Sequence, residues 1–120
     1  MATGTVTVIN TTSVDLSSDL TNSKFTSSAL TLSADFVDLE IAYTGVDGIV
    51  DISIEGSVGG TNYSPLLSPE GNYEIPVKKV LTEASGVTRL AINGLDAVYA
   101  KVVVYSNTAT AGTLTITANH

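Results

Sequence analysis

Val37-Asp38-Leu39-Glu40-Ile41-Ala42-Tyr43 and Val50-Asp51-Ile52-Ser53-Ile54-Glu55, separated by Thr44-Gly45-Val46-Asp47-Gly48, decide the fold. In the first run Val37, Leu39, Ile41 and Tyr43 take alternate positions, with Asp38 and Glu40 between them. The second run repeats the pattern with Val50, Ile52 and Ile54 against Asp51, Ser53 and Glu55. Successive side chains of an extended chain point to opposite faces, so each run reads as a strand with one buried and one wet face. The break, rich in Gly and Asp, reads as a hairpin loop joining the two strands.

The same alternation extends outward in both directions. Thr5-Val6-Thr7-Val8 places its valines on one face, and Leu114-Thr115-Ile116-Thr117-Ala118 does the same for its apolar residues. Val98 to Tyr105 is apolar on both faces apart from Lys101, which suits a central strand or one whose outer face a partner covers. Further turns are expected at Gly59-Gly60-Thr61-Asn62, at Asn93-Gly94-Leu95-Asp96 and from Asn107 to Gly112. Pro65, Pro69 and Pro76 fall between the strong runs, where no ladder donor is lost. Asp15 to Ser28 has no clear period and is compatible with a strand, a loop or one helical turn.

Strands are therefore expected near residues 4–9, 37–44, 49–58, 87–93, 97–105 and 113–118. The expected core is Val6, Val8, Leu39, Ile41, Val50, Ile52, Ile54, Leu90, Ile92, Val102, Val104, Leu114 and Ile116. No amphipathic helix and no internal linker stands out. Residues 1–120 read as one all-β domain, an antiparallel β-sandwich of jelly-roll type.

Composition narrows the function. Of the 120 residues 43% are hydrophobic and only 14% charged, below the ~25% of an average chain. Thr, Ser and Asn supply the polar surface, as outward positions of strands and turns require. A net charge of −7 with only five Lys and Arg cannot build a basic stripe, so no nucleic-acid partner is expected. No apolar run approaches the ~20 residues of a membrane span, and no polybasic segment offers itself to anionic lipid. Met1 to Asn10 lacks the basic and apolar regions of a signal peptide, so synthesis in a host cytoplasm is expected. Cysteine is absent, which removes disulfides, thiolate metal sites and Cys nucleophiles.

Nothing in the chain assembles a catalytic centre. The sole histidine, His120, is the last residue, where side chains are usually too mobile to serve as an oriented base. No Gly-x-Ser-x-Gly elbow is present. The carboxylates Asp35, Asp38, Glu40, Asp47 and Asp51 admit a calcium site, since that ion takes 6–8 oxygen ligands. Without an EF-hand-like spacing, a solvated strand face is the more economical reading, and no metal or cofactor is expected. Tyr63, Tyr73, Tyr99 and Tyr105 could stack on sugar rings, but strand tyrosines more often pack at a sheet edge or an interface. Lys78, Lys79 and Arg89 could pair with the chain's own acids or with those of a neighbouring subunit.

The stretch from Phe36 to Tyr63, with Thr44-Gly45 and then Gly56-Ser57-Val58-Gly59-Gly60-Thr61-Asn62-Tyr63, resembles a strand–turn–strand pattern of small β-sandwich virion structural proteins of bacteriophages. The late strand Val98 to Tyr105, followed by Ala111-Gly112 and a last strand, is similar to the aromatic-rich ending of that family. The likeness spans about Phe36 to Ala118 and departs from the pattern in three places. Gly59 stands where the family has Asp, Tyr63 where it has Trp, and Lys101 where it has Arg. The first two substitutions keep a tight turn followed by an aromatic anchor. The third gives up bidentate pairing with a carboxylate.

The resemblance implies a non-enzymatic virion protein: a capsid decoration, cement, spike or tail-associated subunit. Its implied partners are copies of itself and capsid or tail proteins, and its implied location is the particle. The face expected at the contact is Tyr99, Lys101, Val103 and Tyr105, because large apolar side chains on a solvated face form a patch that monomers rarely expose. The alternative is a carbohydrate-binding module for a host glycan, with Asn62, Tyr63 and Tyr73 facing the sugar.

Overall fold

The computed structural model describes residues 9–33, 36–70, 73–76, 78–92 and 97–120. The strands are β1 (Ile9–Asp15), β2 (Lys24–Thr26), β3 (Leu30–Thr31), β4 (Val37–Thr44), β5 (Val50–Ser57) and β6 (Ser64–Pro65). They continue as β7 (Leu67–Glu70), β8 (Tyr73–Pro76), β9 (Lys78–Leu81), β10 (Gly86–Ile92), β11 (Tyr99–Ser106) and β12 (Thr113–Asn119). No helix occurs among the described residues.

Two antiparallel sheets pack into a sandwich. One has four strands in the order β1-β12-β4-β10. The other has six: β2, β11, β5 and β6 in order, with β3 also on β11 and β9 also on β5. β7 and β8 form a separate two-stranded ribbon.

The pairings nest. The first strand pairs with the last, β1 with β12, and inside that pair β2 and β3 lie on β11. Further in, β4 pairs with β10 and β5 with β9. Two more pairings, β12 with β4 and β11 with β5, close the layers. Such nesting is what a doubled antiparallel ribbon gives when it rolls up so that alternate pairs fall in opposite sheets. This is a jelly-roll arrangement, the sandwich type expected from strands at near-regular spacing with glycine-rich turns.

The core lies between the sheets. Leu39, Ile41, Val50, Ile52, Ile54, Leu90, Ile92, Val102, Val104, Leu114 and Ile116 are all buried there, as the alternation requires. Val6 and Val8, and the expected turn from Asn93 to Asp96, lie outside the described residues. At ~25 cal/mol per Å² of apolar surface removed from water, each fully buried Leu or Ile contributes roughly 1.5–3 kcal/mol.

The structure corrects the reading of Thr44 to Gly48. This segment is no hairpin: β4 belongs to the four-stranded sheet and β5 to the six-stranded one, so the loop crosses between layers. β4 already has β12 and β10 on its two edges, which leaves no edge for β5. Val46, 5% exposed, is drawn into the end of the core, and its N–H donates to the Ala84 carbonyl at 3.0 Å. Alternation and turn residues look the same on either side of a hairpin and of a crossover. Only the occupancy of the edges separates them.

Of the strand expected at residues 4–9, Ile9 alone is described, and it opens a strand that runs on to Asp15. The ambiguous segment after it turns sharply. The Asp15 carboxylate accepts from the Ser17 N–H at 2.9 Å and the Ser17 hydroxyl at 2.7 Å, which holds it below the ordinary carboxylate pKa. Asn22 and Ser23 adopt φ of 53° and 65°, and β2 then joins the edge of β11. A three-residue strand is too short to show a period, which is why the sequence leaves it open.

His120 also departs from expectation. It is 2% exposed, its Nε2 lies 2.7 Å from the Asn10 amide oxygen, and its carbonyl accepts from the Ser33 hydroxyl. Its side chain packs beside Asn10 of β1 and away from solvent.

Candidate interaction surface

Register places the sequence-derived contact residues on the outer face of the six-stranded sheet. Along β11 the inward set is Ala100, Val102 and Val104, so Tyr99, Lys101, Val103 and Tyr105 point away from the core. On β5 their partners are Ser57, Glu55, Ser53 and Asp51 respectively. On the other side of β11, Thr26 and Lys24 lie beside Val103 and Tyr105. Lys78 and Val80 of β9 lie beside Ser53 and Asp51.

The four residues are not equally available. Tyr105 is 44% exposed, Tyr99 and Lys101 are half-buried, and Val103 is only 5% exposed. The expectation of an open patch containing Val103 is thereby corrected. β11 is a central strand, and neighbours on β2 and β5 flank Val103 on both sides. The face is a polar surface with tyrosines at both ends of β11, not an apolar stripe.

Lys101 marks one end of this face. Its ammonium stands 4.3 Å from the centroid of the Tyr63 ring, and its cross-strand partner is Glu55. A cation over a ring face at a partly exposed site contributes about 0.5–1 kcal/mol.

The turn before Tyr63 has the geometry its glycines suggest. Gly60 has φ of 82°, and its N–H donates to the Ser57 hydroxyl at 2.9 Å. A Cβ on Gly60 would come within 3.2 Å of the Tyr99 ring, so both conformation and space call for glycine. The turn brings Ser64 and Pro65 back onto Gly56 and Glu55. Between this hairpin and Ala97 lies a cavity of about 620 Å³ lined by Ser57, Thr61, Asn62, Ser64 and Leu66, among others. Asn62 thus faces a cavity, and Tyr63 sits under Lys101. The side chain of Tyr73 lies outside the described residues.

The carboxylates weighed as a calcium site are dispersed. Asp38 is bound by Arg89, whose Nε donates to it at 3.3 Å, and Asp51 is 3.7 Å from the Lys78 ammonium. Asp47 is held by the loop after β11, Glu40 is exposed, and Asp35 lies outside the described residues. No group of three metal-ligating side chains occurs among the described residues.

Sequence reasoning missed the opposite outer face. Thr113, Thr115 and Thr117 of β12 point outward there, beside Thr44, Ala42 and Glu40 of β4. Val87 and Arg89 of β10 lie beyond Ala42 and Glu40. The alternation in Leu114 to Ala118 showed that the threonines are outward. Only strand order shows that small residues meet across three strands.

A scan of protein-family models and a search of curated proteins find no match to the chain. Among solved structures, the chain is similar to the SPBc2 prophage-derived protein YomS. The TM-score is 0.50 and the identity 10%, over 96% of each chain. At that identity the likeness concerns the fold.

Proposed function

We propose that the chain is a non-enzymatic structural subunit of a bacteriophage particle, of the kind that decorates a capsid or tail and binds copies of itself or lattice proteins. The observation that carries the reading is fold likeness to a prophage-derived protein along 96% of both chains. The late-strand and glycine-turn resemblance to phage sandwich proteins points the same way. A jelly roll with few charges suits repetitive attachment, where many weak contacts act together.

The test is quantitative mass spectrometry on gradient-purified particles of the source phage. Copies per particle in a fixed ratio to the major capsid or tail protein are the expected result. Absence from the particles would refute the proposal.

A second reading, glycan binding, draws on the cavity beside Asn62, where hydroxyl and amide groups sit against Leu66. NMR titration of the labelled chain with a panel of simple sugars decides it. Shifts confined to Thr61, Asn62 and Ser64 would favour this reading.

A further inference from the structure

The two outer faces of the sandwich differ in charge and relief. The outer face of the six-stranded sheet carries Lys24, Lys78 and Lys101 against Asp51 and Glu55, a formal +1. The outer face of the four-stranded sheet carries Asp15, Asp38 and Glu40 against Arg89 alone, a formal −2. In a chain of net charge −7, a lysine-bearing face is an unusual concentration.

Relief follows the same division. Tyr105 is 44% exposed at one end of β11, and Val80 is 41% exposed on β9. The four-stranded face instead holds a shallow trough of about 380 Å³ lined by Ala42, Thr44, Val87, Thr113 and Thr115 among others. Apart from Tyr43 its lining side chains are short, and Val87 is 67% exposed within it.

We infer that copies of this chain stack head to tail, the lysine- and tyrosine-bearing face of one copy docking over the uncharged trough of the next, with its lysines toward the carboxylates Asp15 and Glu40 that flank it. The occupant is a second copy because the chain itself supplies outer faces of opposite formal charge. The contact is heterologous, so each docked copy still offers a free face of each kind, and rings or filaments follow.

Its size sets its strength. Four strands about 4.8 Å apart and about seven residues long give roughly 450 Å² per copy, or about 900 Å² in total. That falls below the ~1,200–2,000 Å² of stable pairwise interfaces. A single contact is therefore weak, and assembly depends on concentration. The inference deepens the particle-subunit reading and rests on it for biological meaning, but it is tested on the purified chain alone.

The experiment is sedimentation velocity from about 10 μM to about 1 mM, the range where contacts this small assemble. The wild-type weight-average sedimentation coefficient is expected to rise throughout. Val87→Arg blocks the trough, and Lys24→Glu with Tyr105→Ser blocks the other face. Each is expected to stay monomeric, with thermal melts showing that it folds. If Val87→Arg fails to fold, Glu40→Lys takes its place at an exposed position.

The decisive sample mixes the two variants in equal amounts. Each then contributes one intact face, so the mixture forms dimers and stops there. A wild type that stays monomeric to about 1 mM overturns the inference, as does a variant that assembles alone or a mixture that stays monomeric. A chain found at lattice stoichiometry in particles yet monomeric alone overturns this inference and leaves the particle reading standing.

Discussion

Asp47, in the crossover from β4 to β5, grips Thr110, in the crossover from β11 to β12. Its Oδ1 accepts from the Thr110 N–H at 2.7 Å, and its Oδ2 accepts from the Thr110 hydroxyl at 2.6 Å. The Ala111 N–H adds a third bond at 3.0 Å to Oδ1. One carboxylate thereby ties together two loops that each pass between the sheets at the same end of the sandwich.

The grip makes stability pH-dependent. The Thr110 hydroxyl and the two backbone N–H groups favour the charged form and hold the Asp47 carboxyl down to about 2. A carboxylate whose folded pKa is depressed contributes stability above its unfolded value, ~3.9. That contribution is lost as pH falls through the folded value. Thermal melts between about pH 5 and pH 2 are expected to show a steeper fall for wild type than for Asp47→Asn. Parallel curves would mean that the grip contributes nothing.

Ile52 lies at the centre of the core with no exposed surface. Ile52→Ala removes three carbons from a packed site and is expected to cost ~2–5 kcal/mol. A urea midpoint shift equivalent to less than ~1 kcal/mol would show that the site collapses around the smaller side chain.

At the hairpin, Gly60→Val is expected to destabilise the fold more than Thr61→Val. Gly60 has φ of 82° and the Tyr99 ring beside it, whereas Thr61 is exposed. Strained φ values for side-chain-bearing residues cost of order 1–3 kcal/mol. Equal denaturation midpoints for the two variants would contradict this geometry.

Val103 and Tyr105 are two residues apart on the same face of β11 and differ in burial, 5% against 44% exposed. Val103→Glu is expected to destabilise or unfold the domain, because it buries a carboxylate without a partner. Tyr105→Ser should stay within ~1 kcal/mol of wild type, as exposed substitutions do. A stable, fully folded Val103→Glu would show that the neighbours of Val103 move aside readily.

The inward side chains of the long strands, and the extended conformation of those strands, were legible in the sequence. Alternation is a local property of an extended chain, so Val37 to Tyr43 and Val50 to Glu55 reveal their inward residues without knowledge of their neighbours. The sequence also marked Gly60 as a turn residue, because positive φ is a local demand. Tertiary structure alone decided which strands lie side by side. The Thr44 to Gly48 segment carries hairpin chemistry yet crosses between sheets, because both edges of β4 were already taken by strands distant in sequence. The same dependence hid the burial of Val103, which comes from β2 and β5 on its flanks, and the burial of His120 beside Asn10. It hid the candidate surfaces too. Lysines from β2, β9 and β11 share one face, and small residues from β4, β10 and β12 share the other, only because non-local pairing brings those strands together.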